Sequence, residues 1–219
     1  MTRTLKFGRK AALSGKAKSL VVFVHGYGAN GADLLDLREV LAPHLPDTAF
    51  VAPDGPEKVA GSFGLQWFGI PRFDGSSEVA ALAGLEKSAA DLSGFIDQRL
   101  AYEGLGPEAV ALGGFSQGSM MSLHVAPRRK VAMAAVVAIS GRLIAPERLQ
   151  AEALVRPPVL VMHGDQDQVV DFAEMGLAAD ALVGAGFEVF GHVMQGTGHG
   201  IAQDGLSSAL GFLQRYLPG

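Results

Sequence analysis

The 219 residues are 48% hydrophobic and 18% charged, with a net charge of −4, the profile of one compact soluble domain over residues 1–219 and not of a disordered chain. That charge offers no basic field for nucleic acid, no run approaches the roughly 20 apolar residues of a membrane span, and residues 1–19 lack the apolar core of a signal peptide, so the expected location is cytoplasmic. With no cysteine, disulfides, thiol nucleophiles and thiolate metal sites are excluded.

Leu20-Val21-Val22-Phe23-Val24 is apolar throughout and rich in β-branched residues, the mark of a strand buried on both faces. A glycine-rich loop, His25 to Gly31, follows. Leu34, Leu37, Val40 and Leu41 then share one face of a helix expected over 33–45. Ala49-Phe50-Val51-Ala52 predicts a short strand, stopped by the turn cluster Pro53-Asp54-Gly55-Pro56. Residues 53–77 have no clear period. Structureless segments of that length are uncommon in compact domains, and the aromatics here, with the single tryptophan in Gln66-Trp67-Phe68, suggest a surface excursion lining a site.

Leu85, Ala89, Leu92, Phe95 and Ile96 fall at helical spacing and predict a long helix over 78–100, stopped by Gly104-Leu105-Gly106-Pro107. Apolar runs at 109–112, 131–139, 159–162 and 187–193 predict further strands. Between and after them, 120–126, 146–154, 172–183 and 206–217 are expected to be helical. Wholly apolar strands alternating with helices give an α/β fold with a mostly parallel central sheet and helices on both faces. Arg128-Arg129-Lys130, after Pro127, is expected to be a solvated turn.

Two motifs carry chemistry. Gly114-Phe115-Ser116-Gln117-Gly118, at the junction of a strand and a helix, has the layout of a nucleophile elbow, G-x-S-x-G, in which a strained turn presents a serine hydroxyl. Gly26-Tyr27-Gly28-Ala29-Asn30-Gly31 is a literal G-x-G-x-x-G after a strand, with Asp54 beyond the next strand, where a dinucleotide fold places its ribose contact. The same loop can instead donate a main-chain N–H to an oxyanion hole. Downstream residues favour the second role. A serine nucleophile needs a base, and the base an orienting acid. His163-Gly164-Asp165-Gln166-Asp167 ends one strand and Gly196-Thr197-Gly198-His199-Gly200 ends another, in the order serine, acid, histidine. Either Asp165 or Asp167 could be the acid. His44, His124 and His192 are expected to be structural or solvated, and His163 to close its turn.

These residues resemble the phospholipase/carboxylesterase family of small α/β-hydrolases, which includes acyl-protein thioesterases and bacterial carboxylesterases. The likeness lies in His25-Gly26-Tyr27-Gly28, Gly113-Gly114-Phe115-Ser116-Gln117-Gly118, His163-Gly164-Asp165-Gln166-Asp167 and Gly198-His199-Gly200, and runs from about residue 20 to 217. Through it, Asp167 becomes the triad acid over Asp165. The chain differs from the thioesterase branch at Ala29, Ser119 and Gln168. The resemblance thus implies a serine carboxylesterase acting through Ser116, Asp167 and His199, with acyl-protein thioesterase or lysophospholipase activity as alternatives. The lack of a long apolar insertion that could form an interfacial lid favours short to medium acyl esters.

The backbone N–H groups of Tyr27 and Gln117 are the expected oxyanion donors. Trp67, Phe68 and Met120 are expected to line the substrate pocket. No metal or cofactor is needed. The expected partner is a small-molecule acyl ester, with no nucleic acid and no membrane span, and a homodimer stays open. From another class, the competing expectation is a non-catalytic α/β-hydrolase-fold binding module, against which the complete triad counts.

Overall fold

Apolar runs without polar alternation can only be covered on both sides, and they build the middle of a seven-stranded sheet. The computed structural model describes residues 2–219. Its first half contains β1 (Phe7–Lys10), β2 (Ser19–Val24), α1 (Gly31–Leu35), α2 (Arg38–Leu41), β3 (Thr48–Pro53), β4 (Glu57–Lys58), β5 (Leu65–Gln66), α3 (Pro71–Asp74) and α4 (Glu78–Glu103). The second half contains β6 (Val110–Phe115), α5 (Gln117–Val125), β7 (Ala135–Ile139), α6 (Pro146–Glu152), β8 (Val159–Gly164), α7 (Ala173–Gly184), β9 (Val189–Met194) and α8 (Gln203–Tyr216). The sheet order is β1-β3-β2-β6-β7-β8-β9. All its pairs are parallel except the antiparallel edge pair β1–β3. This is the α/β-hydrolase fold.

The pleat of β2 shows why both faces must be covered. Leu20, Val22 and Val24 join one core with Leu85, Leu92 and Ile96 of α4, Met120 and Met121 of α5, and Leu182 of α7. Val21 and Phe23 point the other way, into a second core with Leu34 of α1, Leu41 of α2 and Phe212 and Leu213 of α8. Each such side chain stabilises the fold by about 1.5–3 kcal/mol relative to exposure. The chain leaves β2 to one side for β3 and resumes on the other side at β6. Ligands in open α/β sheets gather at this switch point, beyond the carboxyl ends of the strands.

Several expectations need correction. The helix expected over 33–45 is broken: the Leu37 N–H turns back to Leu34 O in an i→i+3 bond, and Pro43 sits in a closing 3₁₀ turn. The break changes the phase, so Val40 is 50% exposed instead of facing the core. The strand expected from Val131 begins only at Ala135, and Val131 is 54% exposed. Residues 53–77 are not structureless: β4 and β5 pair as a hairpin, and α3 follows. Nor is the basic turn simply solvated. Arg129 is buried against Ser93 and Asp97, and Arg128 pairs with Glu152. Edge strand β1, half exposed with only four residues, was not anticipated. No helix among the described residues is long and apolar enough to cross a membrane.

Candidate active site

β6 ends at Phe115 and α5 begins at Gln117, so Ser116 alone makes the turn, at φ 54° and ψ −116°. A non-glycine residue in such a conformation costs about 1–3 kcal/mol and persists only where its surroundings enforce it. The Ser116 N–H is held by Ile139 O at 2.8 Å. The flanking glycines are there for space. A Cβ on Gly114 would meet the Gly118 carbonyl, and one on Gly118 would meet the Val24 carbonyl.

His199 stands on the loop between β9 and α8. Its Nε2 is 2.9 Å from Ser116 Oγ, and its Nδ1 is 2.7 Å from Asp167 Oδ2. Its ring packs on Phe115 with centroids 4.9 Å apart. Asp167, on the loop after β8, accepts the N–H groups of Val169 and Val170 on Oδ1 at 2.8 and 3.0 Å. Burial alone would push its carboxyl group up. The hydrogen bond from His199 and the two amides more than offset that and hold it below the ordinary carboxylate value. The other acid of this loop is used elsewhere: Asp165 Oδ1 accepts the Gly196 N–H at 2.7 Å, tying the acid loop to the histidine loop. His163 Nε2 closes its loop on Val170 O at 3.0 Å and lies 3.2 Å from Asp167 Oδ2.

The glycine loop after β2 brings the Tyr27 amide toward the elbow: a Cβ on Gly26 would lie 3.2 Å from Ser116 Cβ. Among the described residues, neither the Tyr27 nor the Gln117 N–H donates to a protein acceptor, as expected at a loop crest and a helix's first turn. His25 is fully buried. Its Nε2 accepts the Gly55 N–H at 2.7 Å, so Nδ1 carries the proton it gives to Gly26 O at 2.7 Å. Burial lowers its pKa and keeps it neutral. Asp54, the apparent ribose contact, instead accepts the Gly31 N–H at 2.9 Å and caps the start of α1. That contact accounts for the acidic residue of the dinucleotide-like motif.

Beside Ser116 lies an open groove of about 990 Å³, lined by Ser116 and His199 together with Tyr27, Phe68, Met120, Leu143, Ile144 and Ala178 among others. Phe68 and Met120 line this groove. Trp67 does not: it is 0% exposed and packs behind the wall against His25, ring centroids 5.4 Å apart. Tryptophan is the largest apolar side chain and favours burial where its N–H finds a partner. The wall residues Leu143, Ile144 and Ala178 were missed, although the strand-end position of the first two was a usable signal. His44 is exposed, while His192 bonds Asp204 and His124 is buried beside Glu86.

Comparison with known proteins places these features in context. The family model described as Phospholipase/Carboxylesterase matches residues 11–217. Esterase YpfH of Escherichia coli is 27% identical over 202 residues, covering 92% of this chain and 84% of its own. Acyl-protein thioesterase 1 of Neurospora crassa is 28% identical, covering 90% and 86% respectively. The crystal structure of esterase PE8 superposes with a TM-score of 0.92 at 42% identity, covering 98% of this chain and 100% of that one.

Proposed function

The chain belongs to the phospholipase/carboxylesterase family, a family of esterase-type hydrolases, and from that premise we propose that it is a carboxylesterase for short to medium acyl esters. In this proposal Ser116 is the nucleophile, His199 the general base and acid, and Asp167 the orienting carboxylate. The observation that carries it is the unbroken hydrogen-bonded line from Asp167 Oδ2 through His199 to Ser116 Oγ, at 2.7 and 2.9 Å.

Because Asp167 is held as a carboxylate, the imidazole proton sits on Nδ1 and Nε2 keeps its lone pair. Nε2 takes the Ser116 proton as Oγ attacks the ester carbonyl, and Asp167 stabilises the imidazolium. The developing oxyanion accepts the N–H groups of Tyr27 and Gln117, each worth on the order of 3 kcal/mol of barrier. The imidazolium then protonates the departing alkoxide, leaving an acyl-serine. Water, deprotonated by His199, adds to that carbonyl, and collapse returns the proton to Ser116 and frees the acid.

The groove beside Ser116 supplies an apolar wall for the acyl chain, covered at one side by the single turn of α3 through Pro71, Arg72 and Phe73. Its open form suits soluble esters. Ser116→Ala is expected to lower turnover of p-nitrophenyl butyrate by about 10³-fold or more, and retention of near wild-type turnover would overturn the assignment. Absence of a fluorophosphonate adduct on Ser116 would instead favour the binding module.

A second reading, thioester hydrolysis, is favoured by the groove's 990 Å³, roomy for a longer chain, and by the name of the Neurospora relative. The same line of residues would expel a thiolate. Rates on matched acyl esters and acyl thioesters separate the two.

A further inference from the structure

We infer that Trp67 is a positioning residue for the oxyanion hole, a tie that fixes the distance between the Tyr27 and Gln117 amides. This rests on the role proposed above for those amides. The sheet does not set their spacing, because the β2–β6 ladder runs only as far as Val24 opposite Gly114. Beyond it, one chain enters the glycine loop and the other the elbow. Past the ladder the two segments pack closely at Gly26 and Gly118. Oxyanion donors, however, must lie about 2.7–3.1 Å from a single oxygen position, so something directional has to fix the spacing more closely than this packing does.

The segment Leu65–Phe68 does so. On one side, the Leu65 N–H donates to Ala29 O at 2.9 Å and Leu65 O accepts the Gly28 N–H at 2.8 Å, which fastens β5 to the glycine loop. On the other side, the Gln117 side chain holds the next two residues as a peptide group would. Its Oε1 accepts the Trp67 N–H at 2.9 Å, and its Nε2 donates to Phe68 O at 2.7 Å. The Trp67 indole then reaches across: Nε1–H donates to His25 O at 3.0 Å, two residues before Tyr27. The Trp67 carbonyl is taken by the Ser88 hydroxyl. Trp67, Gln117 and His25 are all 0% exposed, so the indole bond to His25 and the Gln117 bond to the Trp67 N–H are shielded from water. Trp67 thereby contacts both donor loops while lying outside the groove, and Gln117 serves twice, through its amide and through its side chain.

Plain core filling predicts that only the shape of Trp67 matters, whereas a tie requires its N–H. Trp67 is the only tryptophan, so growth of a tryptophan auxotroph on β-(3-benzothienyl)alanine replaces that N–H with sulfur, in near-identical shape, at this position alone. Active-site titration with a fluorophosphonate counts the folded enzyme. For p-nitrophenyl butyrate, kcat is expected to fall about five- to twentyfold with KM within about twofold, because the loss falls on the transition state. A trifluoromethyl ketone, whose adduct places an oxyanion in the hole, should lose affinity by the same factor. A non-reacting acyl amide should bind as before.

Gln117→Met, which removes both side-chain bonds but keeps the backbone N–H, is expected to show the same split and decides the matter should the analogue fold poorly. Unchanged kcat in both variants, or parallel weakening of ketone and amide, would overturn the inference. Ser116→Ala assayed alongside keeps the two levels apart. If Ser116→Ala stays active, the proposed function itself fails. If it is dead while both variants keep full kcat, only the tie fails.

Discussion

Replacing Asp167 with asparagine tests the direction of every hydrogen bond in the proposed site. Oδ1 of Asp167 accepts two amides, from Val169 and Val170, and Oδ2 accepts His199 Nδ1–H. An asparagine has one acceptor oxygen, and the two backbone N–H groups claim it. Its NH₂ then occupies the place of Oδ2 and points its protons at His199 Nδ1. The imidazole must move its own proton to Nε2, where it faces Ser116 Oγ and leaves no lone pair to take the serine proton. The expected loss is about 10⁴-fold in kcat, or about 5.4 kcal/mol of barrier. Asp165→Asn keeps an oxygen for the Gly196 N–H and should stay within about threefold of wild type. Initial rates on p-nitrophenyl butyrate, with folded enzyme checked by its thermal midpoint, give both numbers. An Asp167→Asn enzyme within tenfold of wild type, or an Asp165→Asn enzyme that is dead, would refute the reasoning.

Burial lowers the pKa of His25 and, aided by Arg128, that of His124 below the ordinary 6.5. Below about pH 6.5 the unfolded chain therefore binds protons that the folded one refuses, and stability should fall by about 1.4 kcal/mol per pH unit per histidine until each folded value is reached. His124→Asn should flatten the dependence of the urea midpoint on pH, and an unchanged slope would count against the burial argument. Gly118→Ala forces a methyl group onto the Val24 carbonyl. It is expected to cost about 3 kcal/mol or more and lower Tm by about 6–12 °C; a Tm within 2 °C of wild type would mean the elbow has slack. Leu143→Trp narrows the groove beside Ser116. It should reduce the octanoate-to-acetate ratio of kcat/KM about tenfold or more, and a constant ratio would place the acyl chain elsewhere.

The parallel strands were legible because a strand buried on both faces has no polar position to spare, and Leu20 to Val24 and Val159 to Met162 show that plainly. The long helix α4 was legible because its apolar spacing runs unbroken past three turns. What escaped were features set by partners distant in sequence. Phe7 to Lys10 carries no strand signature of its own and becomes a strand only because β3 offers a free edge. Leu37 and Val40 fit a helical face on paper, but the tighter turn after Leu34 breaks the phase. At the site, the residue types and their order along the chain pointed to Ser116, to His199 and to an acid at Asp165 or Asp167. Only the family resemblance chose Asp167, which lies in hydrogen-bond reach of His199. Residue types and order did not show that Trp67 faces away from the groove, because an aromatic beside a functional loop can equally be wall or prop. Nor could any pattern show the Gln117 side chain reaching Trp67, a contact that exists only when the hairpin folds back.

The position of β9 has a consequence for how activity is lost. β9 lies at the edge of the sheet, paired only with β8, and most of its residues are half-buried or exposed. Yet its loop carries His199, 83 residues beyond Ser116. Edge elements with few buried contacts open at a lower free energy than the centre of a fold. Fraying of β9 and the loop after it would therefore withdraw His199, the proposed base, while the elbow, the glycine loop and the central strands remain in place. On heating, catalysis would switch off reversibly before the molecule melts, and the gap between those two temperatures would measure how firmly the last strand is docked.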